Sequence, residues 1–266
     1  MDWMETLLNL RSGWAPVHEG ESGDRVFRSP DGRSYAKLAV GNRAPELAGE
    51  RDRLGWLAGR GIACPVLEDW RENEHGACLV MSAVPGVPAV TLADDDLLKA
   101  WPTMAGQLAA MHALPVADCP FEKSLSCMFA RAAEVVARDA VNPDFLPDED
   151  QDQPGSMLLA RVEAELSQRL AQEKTDRVVC HGDPCLPNFM VDPHTLRCTG
   201  LIDLGRLGTA DRYADLTLML ANASENWGTT AQATEAFDTL FSALKIEAPD
   251  EGRLAFYLRL DPLTWG

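Results

Sequence analysis

The stretch Val178-Val179-Cys180-His181-Gly182-Asp183-Pro184-Cys185-Leu186-Pro187-Asn188-Phe189-Met190-Val191 decides how the rest of the chain is read. An apolar run ends in His-Gly-Asp, a proline-rich turn comes next, and Asn188 opens a second apolar run. Beyond the turn Asp192-Pro193-His194-Thr195 the chain climbs from Leu196 to Ile202 and delivers Asp203. Pairing the runs on either side of that turn as a hairpin puts Asn188 and Asp203 roughly opposite each other at its open end. The oxygens of Asp183, Asn188 and Asp203 then converge where strand gives way to loop.

A hard divalent cation such as Mg²⁺ takes oxygen ligands, usually one or two from side chains and the rest from water and phosphate. Asn188 and Asp203 meet that need. Asp183, upstream of Asn188, is placed to accept a proton from an attacking hydroxyl. This is the division of labour of kinase-type phosphoryl transfer: a catalytic-loop Asp, a metal-holding Asn, and a second metal-holding Asp after the next strand. His181-Gly182-Asp183 stands where protein kinases carry His-Arg-Asp, and Asp203-Leu204-Gly205 where they carry Asp-Phe-Gly. Turn chemistry explains any one of these residues taken alone. Their order and spacing together carry the kinase reading. The sequence has no Gly-Lys dipeptide, which excludes a Walker-type P-loop.

Working toward the N-terminus, the lone lysine before Lys99 is Lys37, inside the strand-like segment Ser34–Val40. Arg25–Arg28 reads as the preceding strand, with Ser29-Pro30-Asp31-Gly32 as the hairpin turn. In the small-residue loop from Gly20 to Gly23, the backbone N–H groups of Ser22 and Gly23 are candidates for contact with phosphate oxygens. A helix is expected from about Pro45 to Gly59, with Leu47, Leu54, Leu57 and Ala58 as its apolar stripe. Glu50 lies within that stripe. A carboxylate on the core side is costly without a charged partner, and Lys37 on the adjacent strand supplies one. Kinases hold the phosphate-binding lysine with such a glutamate; the alternative is a weak surface pair with Arg51 or Arg53. Two more strands are expected near residues 66–70 and 77–82, then a Pro85-Gly86 turn. In the kinase reading residues 82–86 form a hinge, where backbone groups of Ser82, Ala83 and Val84 hydrogen-bond the adenine edge. Without that reading the segment is simply a strand leaving a sheet.

The remainder is mainly helical. Trp101, Met104, Leu108 and Met111 make one amphipathic face, and Leu159, Val162, Leu166 and Leu170 another. Both read as core packing, with His112 structural. Residues 142–152 are acidic and proline-containing, equally consistent with a solvated loop and with a negative wall for a cationic substrate. Asp211-Arg212-Tyr213-Ala214-Asp215-Leu216 starts a helix with an acidic first turn, from which Asp215 can anchor the catalytic loop through its backbone. Two last helices, near 230–244 and 250–260, lead to the tail Asp261-Pro262-Leu263-Thr264-Trp265-Gly266. The expected architecture is α+β and bilobal, a protein-kinase-like fold. Residues 1–84 form a small antiparallel β-sheet lobe with one key helix, and 87–266 a larger, mainly helical lobe.

Composition narrows the function classes. A chain of 266 residues, 46% hydrophobic, can bury a substantial core. No apolar run approaches the ~20 residues that cross a bilayer, and the acidic start Met1-Asp2-Trp3-Met4-Glu5 lacks a basic signal region. The seven cysteines form no Cys-x-x-Cys pair and read as reduced thiols of a cytoplasmic protein. With 24 basic and 41 acidic residues the net charge is −17. Such a surface repels nucleic acid and anionic membrane and attracts small cations.

With these residues assembled, the chain resembles the aminoglycoside phosphotransferases, antibiotic-resistance kinases, and within them the streptomycin 3″-phosphotransferases. The likeness is strongest in residues 180–192, 200–215 and 254–266. It implies ATP as donor, Mg²⁺ as cofactor and a cationic aminoglycoside as substrate, phosphorylated at the 3″-hydroxyl of streptomycin. The alternative is a 3′-phosphotransferase for kanamycin- or neomycin-type drugs, or another small-molecule hydroxyl kinase. Asp183 is then the base, Asn188 and Asp203 hold metal, Lys37 holds phosphates, and Glu50 holds Lys37. Asp144, Asp148, Glu149, Asp150, Glu225 and Asp261 are candidate drug contacts. No nucleic acid, membrane or obligate protein partner is implied.

Overall fold

Strand alternation and turn chemistry build the first layer. A computed structural model describes residues 13–17 and 25–266 of the chain. The strands β1 (Ala15–Val17), β2 (Arg25–Arg28), β3 (Ser34–Val40), β4 (Leu67–Asn73) and β5 (Gly76–Ser82) form one antiparallel sheet in the order β1-β2-β3-β5-β4. The hairpin between β2 and β3 closes as expected. Ser29 Oγ donates to Asp31 Oδ1 at 2.7 Å, and Gly32 takes a φ of +69°, a conformation open to glycine. Period-two alternation sorts β3 and β5. Ala36, Leu38 and Cys78 pack together on one face, while Ala39, Leu79 and Met81 join the main core on the other.

That second face is covered by α1 (Ala44–Leu57), which buries Leu47, Leu54 and Leu57. Pro45 sits in its first turn, where a missing N–H costs nothing. After β5 the chain turns through Gly86, φ +117°, where a Cβ would come within 2.4 Å of the Val191 carbonyl. It then forms β6 (Val87–Pro88) and α2 (Asp94–His112). Three aspartates in the first turn of α2 suit its dipole, and Trp101, Met104, Leu108 and Met111 are buried along it as expected.

Next come α3 (Leu125–Ala137), α4 (Gly155–Glu163) and α5 (Leu166–Asp176). The expected apolar face of Leu159, Val162, Leu166 and Leu170 packs against the core, with Val162 buried and the three leucines half-buried. It is split between two helices, and the residues buried are Leu158 and Val162 on α4 but Arg169 and Glu173 on α5. The two charged groups among them each have a partner. Glu173 accepts from the Leu125 backbone N–H at 2.8 Å, and Arg169 is paired with Glu165 and sits over Phe256.

The remaining strands are β7 (Arg177–Cys180), β8 (Phe189–Asp192), β9 (Arg197–Leu201) and β10 (Gly208–Asp211). β7 pairs with β10, and β6-β8-β9 form a small sheet. The chain ends with α6 (Arg212–Ala223), α7 (Thr230–Ala243), opened by a Thr229/Gln232 capping box, and α8 (Glu251–Leu260). One continuous core joins Leu54 and Leu79 of the first lobe to Trp101, Phe189, Leu216 and Phe256 of the second. The architecture is α+β and bilobal. Among the described residues no helix is long and apolar enough to cross a membrane.

Candidate active site

Strand β7 delivers the chain into the loop at His181, and a single carboxylate shapes that loop. Asp215, in the first turn of α6 and fully buried, accepts from the backbone N–H groups of His181 and Gly182, each at 2.8 Å. His112, at the end of α2, donates from Nε2 to the same carboxylate at 2.9 Å. Burial alone would raise the Asp215 carboxyl, but the His112 contact and the Gly182 N–H help to outweigh it, and the group is held below the usual carboxylate value. His112, Cys180 and Asp215 bring potential metal donors together. The protein's own hydrogen bonds already engage them, with the Cys180 thiol donating to the Asp211 carbonyl. Gly182 has φ +88°, and a Cβ there would meet the Arg206 carbonyl at 2.1 Å. Where kinases place arginine, this loop demands glycine.

His181 links the loop to the hairpin. Its Nε2 donates to the Ile202 carbonyl at 3.0 Å, and its Nδ1 accepts from the Asp183 N–H at 3.2 Å. Burial holds the imidazole below its usual value and so neutral, the form with one donor and one acceptor nitrogen that these bonds require. The backbone of Asp183 is thereby tied to the residue preceding Asp203.

The hairpin closes across an irregularity between Met190 and Val191, with Phe189 opposite Leu201 and the Ile202 N–H bonded to the Asn188 carbonyl at 2.9 Å. Asn188 therefore faces Ile202, one residue short of Asp203. Its side-chain Nδ2 donates to the Asp183 carbonyl at 2.8 Å. Asp203 adopts a left-handed conformation, φ 59° and ψ 59°, which for a non-glycine residue marks a position held by its surroundings. Its Oδ1 lies 2.8 Å from Lys37 Nζ. Lys37 also meets both oxygens of Glu50, at 2.8 and 2.9 Å. Burial disfavours the ammonium, but Glu50 and Asp203 reverse that and hold Lys37 well above the usual lysine value. The alternative partners for Glu50 are engaged elsewhere: Arg51 pairs with Asp52, and Arg53 donates to the Leu207 carbonyl.

Beside Asp183 lies a second group of polar side chains. Arg206 stacks over Trp265 at 4.1 Å, donates to Thr264 Oγ1 at 3.0 Å and approaches Asp261 at 3.5 Å. The Trp265 indole N–H donates to Asp261 Oδ2, and Trp265 meets Phe145 edge to face. The acidic segment 142–152 is thus joined to the C-terminal tail. Within it the expected drug contacts diverge. Asp150 is turned away into an ion pair with Arg161 at 2.7 Å, so its carboxylate is not part of a free negative wall. Asp148 lies within 3.4 Å of the Gln151 amide, while Asp144 and Glu149 are exposed. Glu225 is exposed in the turn after α6, and Asp261 is buried.

Two backbone groups of the segment expected to be the hinge are engaged within the protein. The N–H of Ser82 is bonded to the Val66 carbonyl at 2.9 Å and that of Ala83 to the Arg33 carbonyl at 2.7 Å. Two of the segment's backbone donors are thus taken by residues flanking the neighbouring strands. Ser22 and Gly23 lie outside the described residues. Sequence reasoning passes over Asn222, which accepts from the Leu186 N–H at 2.6 Å, and Lys123, whose ammonium donates to the Gly182 carbonyl. Neither belongs to a local motif. Arg206 lies in the run Gly205-Arg206-Leu207-Gly208, which gives its side chain no evident role.

Residues 13–257 match the model of the phosphotransferase enzyme family. The chain is 50% identical to a streptomycin 3″-kinase of Streptomyces griseus, covering 98% of this chain and 95% of that one. An aminoglycoside 3′-phosphotransferase of Streptomyces fradiae is 39% identical over 93% and 94% of the two chains. The structure of aminoglycoside phosphotransferase APH(3″)-Id from Streptomyces rimosus in complex with ADP and streptomycin superposes with a TM-score of 0.92. It is 46% identical over 99% of this chain and 98% of that one. The lysine–glutamate–aspartate cluster and the His-Gly-Asp loop therefore sit on a shared fold, and the chain belongs to the phosphotransferase enzyme family.

Proposed function

We propose that this enzyme transfers the γ-phosphoryl group of ATP to the 3″-hydroxyl of streptomycin and so inactivates the drug in the cytoplasm. The observation that carries the reading is the three-way contact at Lys37, 2.8 Å from both Glu50 of the first lobe and Asp203 of the second. It joins a phosphate-holding cation to a metal-holding carboxylate, the arrangement phosphoryl transfer uses. The streptomycin 3″-kinase at 50% identity and the neighbour bound to ADP and streptomycin support the choice of donor and acceptor.

The residues fit Mg²⁺. Asn188 has its amide nitrogen committed to the Asp183 carbonyl, which leaves the oxygen as its available donor. Asp203 gives one oxygen to Lys37 and keeps the other. Both are hard ligands of the kind this ion takes, and when bound it would neutralise phosphate charge. Lys37, held by Glu50, would bind the α- and β-phosphates, with Ser22 and Gly23 beside them. The Val84 N–H and the carbonyls of Ser82 and Ala83 would meet the adenine edge. Asp183 would orient the sugar hydroxyl and accept its proton as the new P–O bond forms. Asp261, Glu225, Asp144, Asp148 and Glu149 would hold the cationic drug, whose guanidinium groups suit bidentate carboxylate pairing. Residues 1–84 would be the nucleotide-binding lobe and 87–266 the catalytic and drug-binding lobe.

The test is turnover with ATP and Mg²⁺ against streptomycin, kanamycin and simple alcohols, with the product's phosphate position read by phosphorus–proton NMR. Streptomycin 3″-phosphate is the expected product. Turnover of kanamycin alone, or of no acceptor at all, overturns the reading. Asp183→Ala should lower kcat about 100-fold or more.

A further inference from the structure

We propose that Cys185 is a positioning residue whose thiol donates a hydrogen bond to Oδ1 of Asp183 and leaves Oδ2 to face the acceptor hydroxyl. The proposal rests on Asp183 being the base. Cys185 Sγ lies 3.0 Å from Asp183 Oδ1. The other bonds at Asp183 hold its backbone: the N–H goes to His181 and the carbonyl accepts from Asn188. Neither restrains the carboxylate, which can still rotate about its own side-chain bonds. Among the described residues no other side chain donates to that carboxylate, so the thiol alone selects its rotamer.

The thiol is itself well placed. Cys185 follows Pro184, whose ring limits the local backbone. The next N–H, that of Leu186, is bound to Asn222 Oδ1 at 2.6 Å. Cys185 is thus held from both sides in an extended conformation, φ −75° and ψ 157°. Its environment also keeps the proton on sulfur. Burial pushes the thiol far above its usual value, and the Asp183 and Asp261 carboxylates push it further, against a smaller opposing effect of Arg206. Burial and the carboxylates both favour the thiol, the form that donates, over the thiolate. A thiol is a weak donor to neutral acceptors, but here the acceptor is a carboxylate, which strengthens the bond. Base catalysis depends on which oxygen meets the substrate proton and at what angle, so restraining one carboxylate rotamer acts on turnover rather than on binding.

The experiment combines infrared spectroscopy with kinetics. The S–H stretching band of Cys185 is isolated by subtracting the spectrum of Cys185→Ala from that of the parent, and the same subtraction is made in an Asp183→Ala background. The band is expected to move to higher frequency when Asp183 is removed; an unmoved band overturns the proposal. In turnover, Cys185→Ala is expected to lower kcat roughly 3- to 10-fold with KM unchanged for both substrates. Cys185→Ser, which keeps a donor, should recover most of the loss. A serine variant as slow as the alanine variant would assign the effect to packing and overturn the proposal. If Cys185→Ala does not fold, the serine variant serves as the infrared reference and the band shift decides. Near-normal turnover in Asp183→Ala would overturn the base assignment and the proposal with it. The infrared arm reads the hydrogen bond itself, so the two failures are told apart.

Discussion

Replacing Asp215 tests whether one buried carboxylate organises the loop that carries Asp183. In Asp215→Ala the His181 and Gly182 N–H groups lose acceptors at 2.8 Å, and His112 loses its partner at 2.9 Å. The site is fully buried, so water does not replace the missing acceptor. An unsatisfied buried donor costs about 1–3 kcal/mol, and the two backbone groups together cost roughly 2–6 kcal/mol. Against a total stability of about 5–15 kcal/mol, that is a large fraction. Asp215→Asn keeps one oxygen and turns an N–H₂ toward a donor, so it should lose at least one bond, about 1–3 kcal/mol. His112→Ala removes one of the three donors and should be the mildest. Urea unfolding should therefore rank the parent most stable and Asp215→Ala least. In the fraction still folded, kcat should fall more than about tenfold as the loop loses its register, with little change in KM for the drug. The pH dependence has a definite sign. Asp215 is held below its usual value of 3.8, so its contribution is present above that value and is lost only as pH falls through the lowered native one. Asp215→Ala with the parent's urea midpoint and kcat would refute this account of the loop.

The same geometry sets three further outcomes. Gly182→Ala should destabilise by more than about 3 kcal/mol, measured by urea unfolding, because its Cβ would strike the Arg206 carbonyl in a left-handed backbone. Burial, helped by Arg206 and opposed by Asp261, Asp215 and Cys180, lowers the Lys123 ammonium to about 8. Between that pH and its usual 10.5 the folded state binds fewer protons than the unfolded chain. Stability from this group thus rises with pH across the window. The ammonium's hold on Gly182 is lost over the same range, so parent kcat should fall above about pH 8, a limb that Lys123→Met should lack. Finally, Asp261→Asn should raise KM for streptomycin roughly 10-fold or more. Asp150→Asn should leave it unchanged, because its carboxylate is spent on Arg161.

The parts of the site that can be read from the chain are those in which neighbouring residues explain one another. A hairpin brings its two ends together, so the rough neighbourhood of Asn188 and Asp203 is legible in the two runs and the turn between them, while the irregularity at Met190 and Val191 that sets Asn188 against Ile202 is not. Glu50, sitting in an apolar stripe, requires a cation, and Lys37 is the lysine at hand. What is not legible depends on acceptors and donors arriving from distant segments. Nothing local marks His112 as the partner of Asp215, Asn222 as the acceptor for Leu186, or Lys123 as the donor to Gly182, because each pair is closed by tertiary packing. The segment at the end of the last strand of the first sheet shows the same thing: nothing local tells that the N–H groups of Ser82 and Ala83 go to the carbonyls of Val66 and Arg33. The left-handed backbone of Asp203 obeys this rule as well. Its strain has no signature in Asp-Leu-Gly. It is sustained because the Lys37 ammonium holds the Asp203 carboxylate while His181 grips the Ile202 carbonyl just before it. Those two holds come from opposite lobes, one through a charge and one through a neutral imidazole. Removing the His181 ring should therefore disturb Asp203 even though the two side chains share no direct bond, and the Mg²⁺ concentration needed for half-maximal turnover should rise.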